Sequence, residues 1–322
     1  MPFGWFQIGY QDDFPVGAAV AVDGLGRNLV AWRDNGGRLH VADAFCPHLG
    51  AHLGYGGVVV DDGIRCPFHD WRFAADGGCV SAPYTDRTPA VRIRVYPVRE
   101  IGPLAFFWFS DGGSAEPLWQ LPSIPEVEAT DVVRYRRIIK MRWEDVGENV
   151  IDLAHFPTIH RTGAILDFDV KDDGFFRVVN TKIGFPTDDT ARSATVQTEH
   201  YGPGLFIVRL RGMANVTQVS TVTPIDDERI DLRYSYPSPD AIDDRERRVL
   251  TRLQIRDMMR QSDEDIAIWR HKIYLDRPVL ARGDGPIHQW RRWAAQFAGD
   301  AASRTRRAPR EAEPTRQSSS ST

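Results

Sequence analysis

The chain has 322 residues, room for two domains at roughly 150 residues each, and is 42% hydrophobic and 26% charged, an ordinary globular balance. Its formal net charge of −4 offers no basic footprint for nucleic acid, and no apolar run approaches the roughly 20 residues that cross a bilayer. The N-terminal Met-Pro-Phe-Gly-Trp-Phe-Gln-Ile lacks the charged start and long apolar core of a signal peptide, so a cytoplasmic location is expected.

Residues 1–115 read as a small antiparallel β-domain. Ala18–Val22, Leu29–Trp32, Leu39–Ala44, Val58–Val60 and Val91–Val98 are β-branched or alternating runs, separated by Asp-Gly, Asn-Gly-Gly and Gly-Gly turn signals. Leu104–Ser110 reads as one further, fully buried strand. Between these runs lie Cys46-Pro47-His48 and Cys66-Pro67-Phe68-His69. Two thiolates and two imidazoles can ligate a 2Fe–2S cluster of the Rieske kind, at a potential of roughly −150 to +300 mV. Structural zinc is the competing reading of such a set. Zinc fingers, however, pair cysteine with cysteine and histidine with histidine, whereas each half here carries one of each. The prolines directly after both cysteines, with glycines at 50, 54, 56 and 57, suit two loop tips clasping a cluster. Cys79 is then left alone, which excludes an intramolecular disulfide, points to a reducing compartment and makes it a small buried hydrophobe.

Residues 116–299 read as a second, α+β domain after a Pro-rich linker at its start. A strand over Val132–Met141 leads into a helical stretch from Trp143 to His160. Strands follow at Phe175–Ile183, Ser193–His200, Leu205–Leu210, Ala214–Pro224 and Arg229–Tyr236. A long helix over Ala241–Tyr274 and a short one over Pro286–Phe297 close the fold. Strands first and a long helix last predict an antiparallel sheet wrapped around that helix. From Asp300 to Thr322 the chain is rich in Arg, Ala, Pro, Glu and Ser with little to bury, and disorder is expected.

A second metal constellation lies in Asn149–His160. Two histidines and a carboxylate form the facial triad of non-haem Fe(II) oxygenases, leaving coordination positions open. On an ideal helix His155 and His160 would stand about 140° apart; Pro157 between them is expected to break the helix and swing them together. Glu148, Asp152 and His155 can share one face. For the third ligand, Gln261-Ser-Asp-Glu-Asp offers three acids. Asp265 is the choice, because Leu250, Met258, Ile268 and Trp269 fall within about 60° of it on the helix. A carboxylate on an apolar stripe is costly unless paired or metal-bound. Phe175, Phe185, Phe206 and Met213 are candidates for a cavity lining, with ordinary core the simpler reading.

Taken together, Cys-Pro-His-Leu-Gly, Cys-Pro-Phe-His-Asp-Trp and the Asp152, His155, His160, Asp265 set resemble the oxygenase component of a Rieske non-haem iron oxygenase. The resemblance spans residues 1–299 and makes the first domain a Rieske domain and the second the catalytic domain. It implies Cys46, His48, Cys66 and His69 as cluster ligands, and His155, His160 and Asp265 as ligands of a mononuclear Fe(II). It also implies a homotrimer in which Asp152 bridges to a cluster histidine of the neighbouring subunit. Arg277–Trp293 and Asp265-x-x-Ile268-Trp269 are similar to the 3-ketosteroid 9α-hydroxylase and cholesterol 7-desaturase subgroup, although Trp290 and Trp293 read bottom-up only as one helix face. The expectation is an O₂-dependent monooxygenase that hydroxylates or desaturates an apolar ring substrate, a steroid or sterol. Electrons would come from NAD(P)H through a flavin or iron–sulfur reductase, with or without a ferredoxin. The alternatives are an aromatic-ring dioxygenase or O-demethylase, a plain Rieske electron carrier, and a redox sensor with a vacant second site.

Overall fold

A computed structural model describes residues 1–111, 116–185, 193–212 and 214–299. Met213 and the expected disordered tail over 300–322 lie outside these residues. The N-terminal half holds three small antiparallel sheets. Strands Ala19–Gly24, Arg27–Arg33, Leu39–Asp43 and Val95–Tyr96 form one, and Val58–Val60, Gly63–Arg65, Arg72–Phe73 and Cys79–Ser81 form a second. In the third, Leu104–Phe109 is central between Gly4–Tyr10 and Val98–Ile101. The run expected over Val91–Val98 is therefore split at Pro97, which has no N–H for a ladder.

Leu104–Phe109 is buried along its whole length because both its faces are covered. Leu104, Phe106 and Trp108 enter the core of the C-terminal half, while Ala105, Phe107 and Phe109 enter a core of the N-terminal half. The two-residue period of a strand thus makes it a wall common to both halves. Gly4–Tyr10 does the same: Trp5 belongs to the first core, Phe6 and Ile8 to the second. In the linker, Trp119 stacks on Phe175 with ring centroids 4.6 Å apart, so it is packed core rather than a loose tether.

The C-terminal half is one seven-stranded antiparallel sheet. Its order is Val132–Lys140, Arg229–Pro237, Val216–Pro224, Leu205–Arg211, Ser193–Tyr201, Phe176–Gly184 and Ile165–Asp173. The last strand was not anticipated. Its acids face solvent from an exposed edge that is paired on one side only, where charge is compatible with a strand. The long helix runs Arg245–Trp269 and packs against the sheet. It starts later than Ala241 because Asp244 caps it, its side chain accepting from Arg247 N at 2.8 Å.

The helical stretch before the candidate iron ligands breaks elsewhere than expected. Helix Trp143–Ile151 stops at Asp152, whose backbone is extended (φ −76°, ψ 100°), and a short helix His155–Ile159 follows. Pro157 sits in the first turn of that second helix, where its missing N–H would have had no partner anyway. The kink is thus made by residues 152–154. Helix Ile287–Ala294 then packs Trp290 onto Gly147, where a Cβ would lie 2.1 Å from the indole. Gly147 is what lets the two helices meet so closely.

Candidate metal centres and pocket

The two cysteine–histidine loops share one local design. Cys46 N donates to Ala51 O at 2.9 Å, and Cys66 N to Trp71 O at 2.8 Å. Four residues after each cysteine the chain turns left-handed, at Gly50 (φ 75°) and Asp70 (φ 55°), and that residue's N–H returns to the cysteine carbonyl. Both thiols are buried at 2% exposure, and the His48 and His69 rings lie 4.7 Å apart by centroid. His69 Nδ1 is buried with no hydrogen-bond partner. Burial first, then the adjacent Cys66, push the Cys46 thiol up to about 11. Two buried thiols beside an orphaned imidazole nitrogen fit a cationic centre that takes thiolate and imidazole ligands. His48 stacks on Trp71 (4.5 Å, interplanar 5°), Trp71 Nε1 donates to Tyr84 Oη at 2.8 Å, and Tyr84 Oη lies 3.4 Å from His48 Nε2. Trp71 closes the Cys-Pro-Phe-His-Asp-Trp motif, whereas Tyr84 was not singled out from the sequence. Cys79 is half-buried at the edge of the same core, its thiol pushed up by burial.

His155, His160 and Asp265 converge, each offering a ligand atom within 4.8 Å of the others. All three are buried. His155 Nδ1–H donates to Asp152 O at 2.5 Å, which leaves Nε2 facing the site. Asp265 Oδ1 lies 3.2 Å from His160 Nε2 without hydrogen-bond alignment, and is buried without a partner. Two imidazoles and an orphaned buried carboxylate oxygen fit a divalent metal of the facial-triad kind. Burial lowers the His155 pKa against the pull of Asp265. At His160 burial acts the same way, but Asp265 and then Glu264 outweigh it and the pKa is raised.

The three consecutive acids have separate partners. Asp263 accepts from Tyr135 Oη at 2.7 Å, Glu264 Oε2 meets His160 Nδ1 at 3.2 Å, and Asp265 faces the two histidines. The apolar stripe is less regular than expected: Met258 and Trp269 pack inward, but Leu250 and Ile268 are exposed, and Thr251, Ile255, Ser262 and Ile266 are buried in their place. Glu148 does not join the site; it pairs with Arg291 at 2.7 Å. Asp152 points its carboxylate toward the surface, Oδ1 accepting from Ala154 N. Asn149, whose Nδ2 is 3.3 Å from His155 Nε2 and 3.1 Å from Asp265 Oδ2, had no role assigned from the sequence.

A cavity of about 410 Å³ opens onto these residues, between the sheet face and the long helix. That is within the usual range of small-molecule sites. Val196, Phe206, Val208, Leu210, Tyr234 and Met258 give it apolar walls, while Gln218, Ser220 and Asn149 supply polar points. Phe185 also lines it; Phe175 belongs to the aromatic core around Trp119.

A buried 2-His-1-carboxylate set under an apolar cavity, beside a domain with paired Cys–His loops, defines the class: a Rieske non-haem iron oxygenase. Residues 4–97 match the Rieske 2Fe–2S domain and residues 107–298 the 3-ketosteroid 9α-hydroxylase C-terminal domain, and the chain belongs to that family. It is 30% identical over 318 residues to the 3-ketosteroid-9-alpha-monooxygenase oxygenase component of Mycobacterium tuberculosis, covering 93% of this chain and 82% of the relative. It is 28% identical over 326 residues to cholesterol 7-desaturase nvd 1 of Ciona intestinalis, covering 92% and 68%. Dicamba monooxygenase bound to 3,6-dichlorosalicylic acid has the same fold, with a TM-score of 0.71 at 19% identity over 91% of this chain and 96% of the other. The enzyme's cofactors are a Rieske 2Fe–2S cluster and a mononuclear iron, and the monooxygenase relative is named as an oxygenase component. Among the described residues no helix is long and apolar enough to cross a membrane.

Proposed function

We propose that this enzyme hydroxylates or desaturates an apolar ring substrate of the steroid or sterol class, at the expense of O₂. The observation that carries this reading is the apolar cavity placed directly over His155, His160 and Asp265. The relatives named for 3-ketosteroid and cholesterol oxidation support the substrate class. In this reading Cys46, His48, Cys66 and His69 hold the cluster, and His155, His160 and Asp265 hold the iron. Together the two centres supply one-electron delivery and O₂ activation when loaded.

The chain's own residues do the rest. His155 is fixed by its donation to Asp152 O, so its Nε2 lone pair faces the metal position. Asn149 holds Asp265 Oδ2 and so orients the carboxylate. Val196, Phe206 and Leu210 exclude water and bind the ring face. A homotrimer places the Asp152 carboxylate, which is partly exposed, against a cluster histidine of the next subunit. Electrons reach the cluster from NAD(P)H through a flavin or iron–sulfur reductase, directly or by a ferredoxin.

The test is mass-spectrometric turnover with a generic reductase on 3-ketosteroids, sterols, simple arenes and methoxyarenes. Oxygen insertion or double-bond formation in a steroid or sterol is expected. Turnover confined to arenes or methoxyarenes would instead make it a ring dioxygenase or an O-demethylase.

A further inference from the structure

Glu264 follows no apolar stripe and is a third exposed, yet it is aimed at an iron-ligand histidine. His160 has two ring nitrogens in two different environments. Nε2 faces Asp265 and the other histidine, while Nδ1 faces Glu264 Oε2 at 3.2 Å. Consecutive acids on the helix therefore address opposite nitrogens of one imidazole. The carboxylate of Glu264 is itself held from the other side. Arg260, one helical turn earlier, donates to Glu264 Oε1 and also to Asp257 Oδ1 at 2.7 Å. Arg260 and Asp257 both line the cavity.

We propose that Glu264 is a positioning residue for the mononuclear iron, accepting the His160 Nδ1–H so that Nε2 is the ligand atom, with Arg260 holding it from the cavity wall. A histidine that ligates a metal needs its second N–H fixed, or the ring rotates and exchanges tautomers. His155 solves this with a backbone carbonyl, Asp152 O. Among the described residues Glu264 is the hydrogen-bond partner of His160 Nδ1, so the duty falls on this side chain. The two histidines of one site are thus oriented by different means, one rigid and one adjustable. The adjustable one is tied to a residue of the cavity wall.

The inference rests on the iron assignment proposed above, and the test separates the two. Fe(II) affinity is measured by anaerobic titration of the full-length protein with its Rieske cluster loaded, and the ligand field by the visible spectrum of Co(II) in the same site. Glu264→Met removes the acceptor at similar length, and Glu264→Asp withdraws it while keeping the charge. Both are expected to weaken Fe(II) by about 10- to 100-fold, the usual cost of losing such a partner, and to shift the Co(II) bands. Glu264→Gln keeps an acceptor oxygen and is expected to stay within a few-fold of wild type. Arg260→Leu is expected to fall between Gln and Met. An unchanged thermal unfolding midpoint and near-UV circular dichroism report intact folding of the catalytic half in each variant, and the Rieske EPR signal that of the other half. Wild-type affinity in both the Met and Asp variants would overturn the inference, as would a Gln variant no tighter than Met. A wild-type protein that binds no Fe(II) would sink the iron assignment, and this inference with it.

Discussion

The two metal-binding regions are built on opposite principles. Each cluster loop is organised by its own backbone: a cysteine N–H to the carbonyl five residues on, and a left-handed turn residue that closes back onto the cysteine. Its tips stay exposed, with Leu49 and Phe68 at the surface beside the histidines. The candidate iron site has almost no local support. Asn149, His155 and His160 are held by packing of Trp143–Ile151 under Trp290, by Asp145–Lys272 and Glu148–Arg291 pairs, and by Asp265 and Glu264 from a helix a hundred residues away in sequence. One region is a local motif set on a scaffold; the other is a product of the tertiary fold.

The difference predicts separable failures, and the largest effect should come from the ligands. Cys66→Ser should abolish the Rieske EPR signal and turnover. A His155→Ala, His160→Ala double variant should keep that signal and lose one of about three irons per chain together with all turnover. Full turnover with the Rieske signal intact in the double variant would sink the iron-site assignment. Next in size is a change that touches no ligand. Trp290→Ala empties a fully buried indole site between Gly147 and His200, at a cost of about 3–5 kcal/mol. Its expected signature is reduced mononuclear iron at unchanged cluster content, read by metal analysis beside the EPR signal. Equal loss from both centres would mean that the cluster loops lean on the catalytic core more than their backbone bonding implies.

The same contrast explains what was legible in the sequence. Cys46, His48, Cys66 and His69 could be read because a local motif carries its geometry in its spacing. Most strands could be read from their alternation, and Asp265 from its place beside Met258 and Trp269 on a helix. Ile165–Asp173 alternates as well, with Phe168 and Val170 packed on the core, but the acids between them mask the signal. The break at residues 152–154 was hidden because Pro157 is the louder signal, yet proline is harmless in a first turn. Glu264 and Asn149 were out of reach for a simpler reason. Their roles depend on which ring nitrogen each meets, and nothing short of the fold sets that.

The smallest effect expected is a difference in acid sensitivity between the halves. His200 in the catalytic half is fully buried beside Phe206, Trp290 and Trp293, with neither ring nitrogen hydrogen-bonded. Burial, then the Arg177 guanidinium on the neighbouring strand, depress its pKa from 6.5 to about 3. Among the described residues the carboxylate facing Arg177 is Asp172, at 3.4 Å. In the N-terminal half, burial raises Asp34, but the His40 hydrogen bond and the Arg38 N–H bring it down from 3.8 to about 2. Both folded pKa values are depressed, so both groups stabilise above their unfolded pKa and lose that contribution as pH falls. The windows differ: His200 acts from pH 6.5 down toward 3, Asp34 only from about 4 toward 2. Between pH 6 and 5 the catalytic half should therefore lose about 1 kcal/mol through His200, a little under one proton's worth per pH unit, while the Asp34 contribution stays nearly constant. Hydrogen exchange of the seven-stranded sheet, read by mass spectrometry, would report the catalytic half and visible circular dichroism of the cluster the other. In His200→Phe, which keeps an aromatic ring between Phe206 and the two tryptophans, the slope of stability against pH in this interval should flatten. An unchanged slope would remove His200 as its cause and leave the acid response to groups shared by both halves.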